Sequence, residues 1–319
     1  MMSATRRTLL ATPLLLPGLA RAQAWPARPI RVIVPYAAGG GTDILTRALG
    51  EALRPHLPQP FVVENRAGAA GVVGTEAVLR AEPDGHALAV VVSTHVVNRH
   101  TLAQMPFDPL RDVTPVAMLA RNTMMLAASA ALPFTDLPGL AAHARANPRA
   151  LSTGSTEALS QFLGQEMARR LSVDIPDVQY RSGGQLMTDI VAGHLPLGWT
   201  STASVMPHMQ TGRARLIAAS TATRTPFFPD VPTAQEQGLA EFDLSGWVAM
   251  LAPRGLPDAV AARINAALTL AFNDPAFRQR LATLGIEADL RGPEPLAAAM
   301  AREDRIWAAA AAAGHIQRQ

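Results

Sequence analysis

The chain has 319 residues, 49% of them hydrophobic and 17% charged, which is enough for two domains with packed cores. It contains no cysteine and no lysine. This excludes disulfides, thiolate metal sites, thiol nucleophiles, Schiff-base lysines and the lysine of a phosphate-binding P-loop. The net charge of +3 comes from three arginines in the first 24 residues, and the other arginines balance the 25 acidic residues. We therefore expect no nucleic-acid partner, because such a protein needs a basic face.

Residues 1–24 predict an export signal. Arg6 and Arg7 precede an apolar run from Leu9 to Leu16, and Ala22-Gln23-Ala24 offers a small-x-small cleavage site. The apolar run is much shorter than the roughly 20 residues that a membrane-spanning helix requires. The paired arginines fit a twin-arginine signal or an ordinary secretory signal. We expect a periplasmic protein and leave the export route open.

The first half of the mature chain alternates predicted strands with predicted helices. Apolar or β-branched strands are predicted at residues 30–35, 61–64 and 87–92. Helices with an apolar face are predicted at residues 42–53 and 75–81. This order of strand, loop and helix favours a parallel α/β sheet.

A second series of elements begins after Asp112. Further strands are predicted near residues 124–128, 178–180 and 216–220, and helices at residues 137–146, 158–171 and 185–192. The end of the chain is predicted to be mostly helical, with helices at residues 259–272, 275–284 and 295–313. No repeat period and no long linker divides the sequence.

Four predicted loops carry Gly, Ser and Thr where a strand gives way to a helix. They are residues 39–42, 68–74, 153–156 and 182–184. Ligands of open α/β sheets bind beyond the carboxyl ends of the strands, where glycine lets the backbone approach and helix N-termini favour negative charge. Two such loops in each half of the chain indicate two lobes that hold one anion. The alternative interpretation is that these glycines only mark turns.

Motifs along the whole mature chain resemble one known family. The stretch from Trp25 to Asp43 includes Val34-Pro35-Tyr36-Ala37-Ala38-Gly39-Gly40-Gly41-Thr42-Asp43, and a second glycine-rich stretch runs from Val63 to Gly74. Shorter matches follow in the expected order at residues 83–85, 107–112, 207–212, 229–233, 236–238 and 251–255. Together they resemble the Bug solute receptors, which are the extracytoplasmic binding proteins of tripartite tricarboxylate transporters.

The resemblance implies an α/β, two-lobe periplasmic-binding-protein fold that is type II-like. Each lobe is expected to be a mostly parallel sheet flanked by helices, and the chain is expected to cross the hinge twice. Lobe 1 is expected at residues 25–124 plus 245–319, and lobe 2 at residues 125–244. The resemblance also implies that backbone amides of the first two loops hold a ligand carboxylate, partly through ordered waters. We expect a monomer with no cofactor and no metal.

The predicted ligand-binding residues come from both lobes. Those of lobe 1 are Tyr36, Ala38, Gly39, Gly40, Gly41, Thr42, Asp43, Gly71, Val72, Val73, Ser93 and Thr94. Those of lobe 2 are Gly154, Ser155, Thr156, Gly183, Trp199 and Thr200.

Some of these residues also have a structural interpretation. A carboxylate at Asp43 would repel an anionic ligand, so we expect Asp43 to complement the first helix and fix the loop, with recognition of a ligand amine or hydroxyl as the alternative. Ser93 and Thr94 end a strand and either reach the ligand or face solvent. Ser155 precedes a helix and is also an N-cap candidate. Trp199 stacks on an apolar ligand body or lies in the core.

The sequence predicts a binding protein rather than an enzyme. It has no G-x-S-x-G elbow and no histidine spacing typical of a metal site. We expect the lobes to close on a small organic carboxylate and present it to membrane transporter subunits. A sensor adaptor that touches a receptor kinase and an exported α/β hydrolase are the alternatives. The ligand stays open among dicarboxylates, tricarboxylates, aromatic acids, amino acids and nicotinate-like acids.

Overall fold

The structure is a computed structural model that describes residues 25–156 and 158–313. The predicted export signal lies outside the described residues. The strands are β1 (Ile30–Val34), β2 (Phe61–Asn65), β3 (Ala87–Val92), β4 (Val113–Asn122), β5 (Met124–Ser129), β6 (Thr153–Ser155), β7 (Asp177–Gln179), β8 (Leu197–Ser201), β9 (Ala214–Ala219), β10 (Gly246–Pro253) and β11 (Glu287–Arg291).

Helices flank these strands on both sides. They are α1 (Gly41–Ala52), α2 (Val72–Leu79), α3 (Thr94–Thr101), α4 (Leu137–Ala146), α5 (Ala158–Leu171), α6 (Gly183–Ala192), α7 (Thr202–Val205), α8 (Asp258–Asn273), α9 (Pro275–Thr283) and α10 (Pro293–Ala312). Within the described part of the chain, no helix has both the length and the apolar character needed to cross a membrane.

The sheet of lobe 1 has six strands in the order β11-β4-β10-β3-β1-β2. Strand β1 runs parallel to β2 and β3, whereas β10 is antiparallel to β3 and β4, and β11 is antiparallel to β4. The sheet is therefore mixed: β1, β2, β3 and β4 run in one direction, as expected of a mostly parallel sheet, and β10 and β11 run in the other. The physical reason is that β4 runs toward lobe 2 and β10 returns from it, so that Asn122 at the end of β4 pairs with Gly246 at the start of β10.

The sheet of lobe 2 is also mixed, with five strands in the order β7-β6-β8-β5-β9. Strand β6 is parallel to β7 and β8, and β5 is antiparallel to β8 and β9. The chain enters this sheet between Asn122 and Met124 and leaves it between Ala219 and Gly246. These two crossings form the hinge between the lobes.

Each sheet is covered by apolar side chains on both faces. Strand β1 illustrates the pattern, because Val32 and Val34 pack with α1 and α8 on one face while Ile33 packs with α2 and α3 on the other. A strand buried on both faces needs the continuous apolar run that the sequence has here. Lobe 2 has its own pair of cores on the two faces of its sheet.

Helix α10 connects the two lobes by packing rather than by chain crossing. Its first half places Leu296 and Met300 in a core of lobe 1, whereas its second half places Trp307 and Ala310 in a core of lobe 2. The ring centroid of Trp307 lies 5.1 Å from that of Phe162 on α5. The prediction had assigned the whole C-terminal segment to lobe 1, and the structure shows that the end of α10 contacts lobe 2.

Candidate ligand-binding cleft

A cavity of about 320 Å³ lies between the two lobes beside the hinge. We call it the interlobe cavity, and its volume falls in the range typical of small-molecule sites. Lobe 1 contributes Gly41, Thr42, Leu45, Val92, Ser93, Thr94, Val97, Gly246, Trp247, Val248, Leu284, Gly285 and Ile286. The hinge contributes Ala120, Arg121 and Asn122, and lobe 2 contributes Ala158, Leu159, Ser201 and Ala203.

Helices from both lobes begin at this cavity. In lobe 1, α1 starts at Gly41 and α3 at Thr94, and both residues line the cavity. In lobe 2, α5 starts at the lining residue Ala158. The first amides of a helix have no intrahelical partner, and the helix dipole places partial positive charge there. The cavity is therefore suited to a small anion.

The helices of lobe 1 and lobe 2 differ in how their N-termini are capped. Neither α1, preceded by Gly40, nor α3, preceded by Ser93, has a side-chain cap among the described residues. In lobe 2, Ser201 Oγ accepts a hydrogen bond from the Ser204 amide at 3.3 Å, and Ser160 Oγ accepts one from the Thr156 amide at 2.9 Å. The first turns of α1 and α3 at the cavity are therefore uncapped, whereas Ser201 caps α7.

Asp43 fixes the glycine loop in front of α1. The Gly39 amide donates to Asp43 Oδ2 at 2.8 Å, and Arg47 Nε lies 2.9 Å from Oδ1. Burial alone would raise the pKa of Asp43, but the hydrogen bonds from Arg47 and the Gly39 amide hold it below its usual value. The carboxylate is thus ionised and paired with the guanidinium, and Asp43 is not among the residues that line the interlobe cavity.

Tyr36 joins the first loop, the second loop and the end of β3. Its hydroxyl oxygen accepts a hydrogen bond from the Val92 amide at 3.1 Å. Its ring packs so closely on Gly71 that a Cβ there would lie 3.1 Å from Tyr36 Cε1, and Gly71 also has a positive φ of 98°. Burial raises the pKa of Tyr36, so the phenol stays protonated. Tyr36 and Gly71 support the cleft without lining the cavity.

Other predicted residues of lobe 1 lie outside the cavity lining. Ala38, Gly39 and Gly40 are exposed in the loop before α1. In α2, Val72 is buried and Val73 is half-exposed. The residues that the structure brings together at the cavity, out of the predicted set, are Gly41, Thr42, Ser93 and Thr94.

The predicted residues of lobe 2 are engaged elsewhere. Gly154 is buried against Leu186 and Leu195, and the Ser155 hydroxyl donates to Asp177 Oδ2 at 2.9 Å. The Thr156 amide donates a hydrogen bond to Ser160 Oγ. Gly183 packs tightly on Thr200 and Ser204, and Thr200 is buried. Sequence reasoning instead missed Ala158, Leu159, Ser201 and Ala203, because small and apolar residues in a first helical turn give no signal that distinguishes a cleft from a core.

The expectation that Trp199 contacts ligand is wrong. Trp199 is fully buried in the core of lobe 2, and its ring centroid lies 5.9 Å from that of Phe242. Alternation along β8 puts Leu197 and Trp199 on the same face, against that core. The tryptophan that does line the interlobe cavity is Trp247 at the start of β10, which the sequence reasoning missed.

Among the described residues, Arg121 is the only charged side chain that lines the cavity, and it forms an ion pair with Glu287. Its guanidinium donates through Nε to Glu287 Oε1 at 3.0 Å, and through Nη2 to the same oxygen. The other oxygen, Glu287 Oε2, accepts hydrogen bonds from Thr123 at 2.8 Å and Thr225 at 3.0 Å. We call these four residues the hinge cluster. Glu287 lies on β11 of lobe 1, and the two threonines lie in the two hinge crossings.

Two lobes with separate cores, joined at a hinge and enclosing a cavity that helix N-termini face, define a solute-binding protein of the periplasmic type. The model of the tripartite tricarboxylate transporter family receptors, TctC, matches residues 45–297. The chain therefore belongs to this family, as the resemblance indicated. Receptors of the family are periplasmic and bind their substrates rather than convert them.

Curated relatives support the same assignment along almost the whole chain. A UPF0065 protein of Bordetella bronchiseptica is 32% identical over 94% of this chain and 90% of its own length. The protein BugT of Bordetella pertussis is 30% identical over 90% of this chain and 89% of its own length.

Solved structures show the same fold. A TctC solute-binding protein from Polaromonas is 25% identical, with a TM-score of 0.81 over 89% of this chain and 97% of its own. MatC of Rhodopseudomonas palustris with bound malate is 30% identical, with a TM-score of 0.69 over 90% and 100%. A second R. palustris protein, solved with adipate, is 27% identical, with a TM-score of 0.73 over 92% and 100%.

Proposed function

We propose that this protein captures a small organic carboxylate in the interlobe cavity and delivers it to the membrane subunits of a tripartite tricarboxylate-type transporter. Two relatives of known structure hold the carboxylates malate and adipate. The export signal predicted in residues 1–24 is part of this proposal, because the protein must reach the periplasm to do this.

The observation that carries the proposal is the meeting of helix N-termini at the cavity. Helices α1 and α3 present uncapped first turns to it from lobe 1, and α5 begins at it from lobe 2. No acidic side chain lines the cavity among the described residues. A carboxylate there gains hydrogen bonds to backbone amides and a favourable helix-dipole interaction.

A thermal-shift screen of the mature protein against carboxylic acids tests the proposal. A ligand present at 100 times its Kd stabilises the folded state by about 2.7 kcal/mol, which produces a clear rise in Tm. Recovery of the acid unaltered after incubation distinguishes binding from hydrolysis. A screen in which no acid raises the Tm would contradict the proposal.

Substitution of Gly41 links binding to the cavity. Gly41 lines the cavity, and a Cβ built there meets no atom within 4 Å, so we expect Gly41→Leu to fold and to hinder access to the first-turn amides of α1. We expect this variant to lose the ligand-dependent rise in Tm and to show no heat of binding by calorimetry. Gly184→Leu is the matched control, because Gly184 has the same open space in the first turn of α6, outside the cavity lining. Equal binding by both variants would place the ligand elsewhere.

The sensor adaptor is the alternative function for the same site. Both functions require carboxylate binding and differ in the protein that the liganded receptor meets. Uptake of the acid by membrane vesicles that carry the transporter subunits, dependent on added receptor, supports transport. Ligand-dependent phosphorylation of a receptor kinase without uptake supports sensing instead.

A further inference from the structure

We infer that Thr123 and Glu287 are positioning residues for ligand binding, because they hold the lobe 2 wall of the interlobe cavity over the first turns of α1 and α3. This inference rests on the proposed function and adds residues that act on the ligand through other parts of the protein. Neither Thr123 nor Glu287 lines the cavity.

Thr123 lies in the first chain crossing and is bonded to both lobes. Its side chain is fully buried, and its hydroxyl donates to Glu287 Oε2 on β11 of lobe 1 at 2.8 Å. Its carbonyl oxygen accepts a hydrogen bond from the Thr202 amide at 3.3 Å. Thr202 is the first residue of α7, and its neighbours Ser201 and Ala203 line the cavity from lobe 2. Thr123 therefore connects the sheet of lobe 1 to the helix that covers the cavity.

The second chain crossing is bonded to the same carboxylate. Thr225 Oγ1 donates to Glu287 Oε2 at 3.0 Å, and Arg121 Nη1 donates to Thr223 Oγ1 at 3.3 Å. The side chain of Glu287 is only 4% exposed, so water replaces a lost donor poorly and an unsatisfied carboxylate oxygen is costly. Rotation of lobe 2 about the crossings weakens these bonds. Glu287 thus favours the arrangement of the lobes in which both crossings reach it.

The segment just before Glu287 contacts the lobe 2 wall. Leu284, Gly285 and Ile286 line the cavity from lobe 1. A Cβ built on Gly285 would lie 3.5 Å from Ala203 Cβ on α7, and Gly285 has a positive φ of 70° that favours glycine. Helix α7 is therefore held at two places, by the bond of its first amide to the crossing and by this contact across the cavity.

The consequence for affinity follows from the population of this arrangement. A ligand that needs both walls binds with an apparent Kd equal to its intrinsic Kd divided by the fraction of molecules that have the walls in place. Loss of a bond between a crossing and Glu287 lowers that fraction. Thr123→Val removes the hydroxyl and keeps the shape of the side chain, and Thr225→Val does the same in the second crossing.

Calorimetric titration of the mature protein with adipate, malate and benzoate tests this inference. For the acid that binds, we expect Thr123→Val and Thr225→Val each to raise the Kd about fivefold. Tyr180→Phe is the matched control, because the Tyr180 hydroxyl also donates to a carboxylate, Asp189 Oδ2, at 2.8 Å. Both partners of that bond lie in lobe 2 outside the cavity lining, so the control should leave the Kd unchanged.

Small-angle X-ray scattering distinguishes positioning of the lobes from a general loss of stability. Without acid, we expect Thr123→Val to have a larger radius of gyration than the wild type. A saturating concentration of the acid that binds should return the variant to the value of the liganded wild type. Tyr180→Phe should match the wild type under both conditions.

The outcomes separate this inference from the proposed function. An unchanged Kd in Thr123→Val and Thr225→Val, or an equal rise in Tyr180→Phe, overturns the inference and leaves carboxylate binding intact. An unchanged radius of gyration of Thr123→Val without acid also overturns it, because the hydroxyl would then not hold the lobes. Failure of the wild type to bind any carboxylate overturns the proposed function itself, and the inference with it.

Discussion

Glu303 is a buried carboxyl group beside the hinge, and its ionisation couples the stability of the fold to pH. It lines a cavity of about 220 Å³ with Trp247, and the charged residues around that cavity are Arg121, Asp243, Asp289, Arg291 and Arg302. Burial raises the pKa of Glu303 to about 8, although Trp247 and Arg302 favour the ionised form. The ordinary pKa of the group is 4.5, so it binds a proton more tightly in the folded than in the unfolded protein.

Stability should therefore fall as Glu303 ionises. The contribution of the protonated carboxyl is fully present below about pH 4.5 and is lost as the pH rises toward about 8. We expect Glu303→Gln, which is neutral at every pH, to match the wild type near pH 4 and to exceed its unfolding free energy by on the order of 2 kcal/mol at pH 8. Urea unfolding at several pH values measures this difference. A difference that does not change with pH would show that Glu303 is not the titrating group.

Trp199 and Trp247 show that the sequence around a single residue does not reveal whether its side chain lies in a core or lines the cavity. Trp199 follows a glycine in an apolar strand and gives no sign of which face it occupies. Pairing of β8 with β5 and β6 fixes that face and buries Trp199 against Phe242. Trp247 lines the cavity because β10 starts at the hinge, which depends on pairing with β4, more than a hundred residues earlier in the chain. Long-range pairing of this kind has no local sequence signal.

At the scale of elements, glycine-rich loops were a poor guide to the cavity. Of the four loops, only the one before α1 reaches it, through Gly41 and Thr42, and no residue of 68–74 lines it. The other predicted residues at the cavity, Ser93 and Thr94, lie at the end of β3. The loops at 153–156 and 182–184 look the same in sequence, but Ser155 bonds to Asp177 and Gly183 packs on Thr200. Side chains of lobe 2 thus bond to or pack on the loop residues that the sequence pattern predicted to bind ligand.

The hinge cluster connects β4 and β11 with both chain crossings. Glu287→Gln removes the charge that balances Arg121 and keeps the shape of the side chain. We expect a loss of about 3 kcal/mol in unfolding free energy, because a poorly solvated cation is left without its partner. Urea unfolding at neutral pH measures it. Glu51→Gln removes an exposed ion pair with Arg280 and should change stability little, and an equally small effect of Glu287→Gln would contradict the role of the cluster.

At the scale of the whole molecule, the alternation of strands and helices predicted the α/β class and the resemblance supplied the two lobes. The reversed directions of β5, β10 and β11 were not predicted, because the direction of a strand follows from whether the chain is entering or leaving a lobe. The contact of α10 with lobe 2 was also missed. Its alanine-rich sequence is compatible with packing on either lobe, and the placement of Trp307 against Phe162 depends on how the lobes meet.

Ligand binding between lobes has a simple thermodynamic consequence. A ligand that touches both walls favours the closed arrangement by the difference between its affinities for the closed and open states. Here α1 and α3 of lobe 1 bind the carboxylate in our proposal, and the first turns of α5 and α7 of lobe 2 cover it. In our proposal, closure thus presents surfaces of both lobes together to the membrane partner.

Hydrogen–deuterium exchange with and without an acid that raises the Tm tests whether the ligand binds at the first turns of α1 and α3. We expect slower exchange at the amides of residues 41–43, Thr94 and His95 on ligand addition, because these first-turn amides bind the carboxylate. We also expect slower exchange at residues 201–205, because the two lobes shield them when they close on the ligand. Protection confined to a different cavity, of about 810 Å³ between α5 and the end of α10, or an unchanged exchange rate in the first turns of α1 and α3, would contradict this prediction.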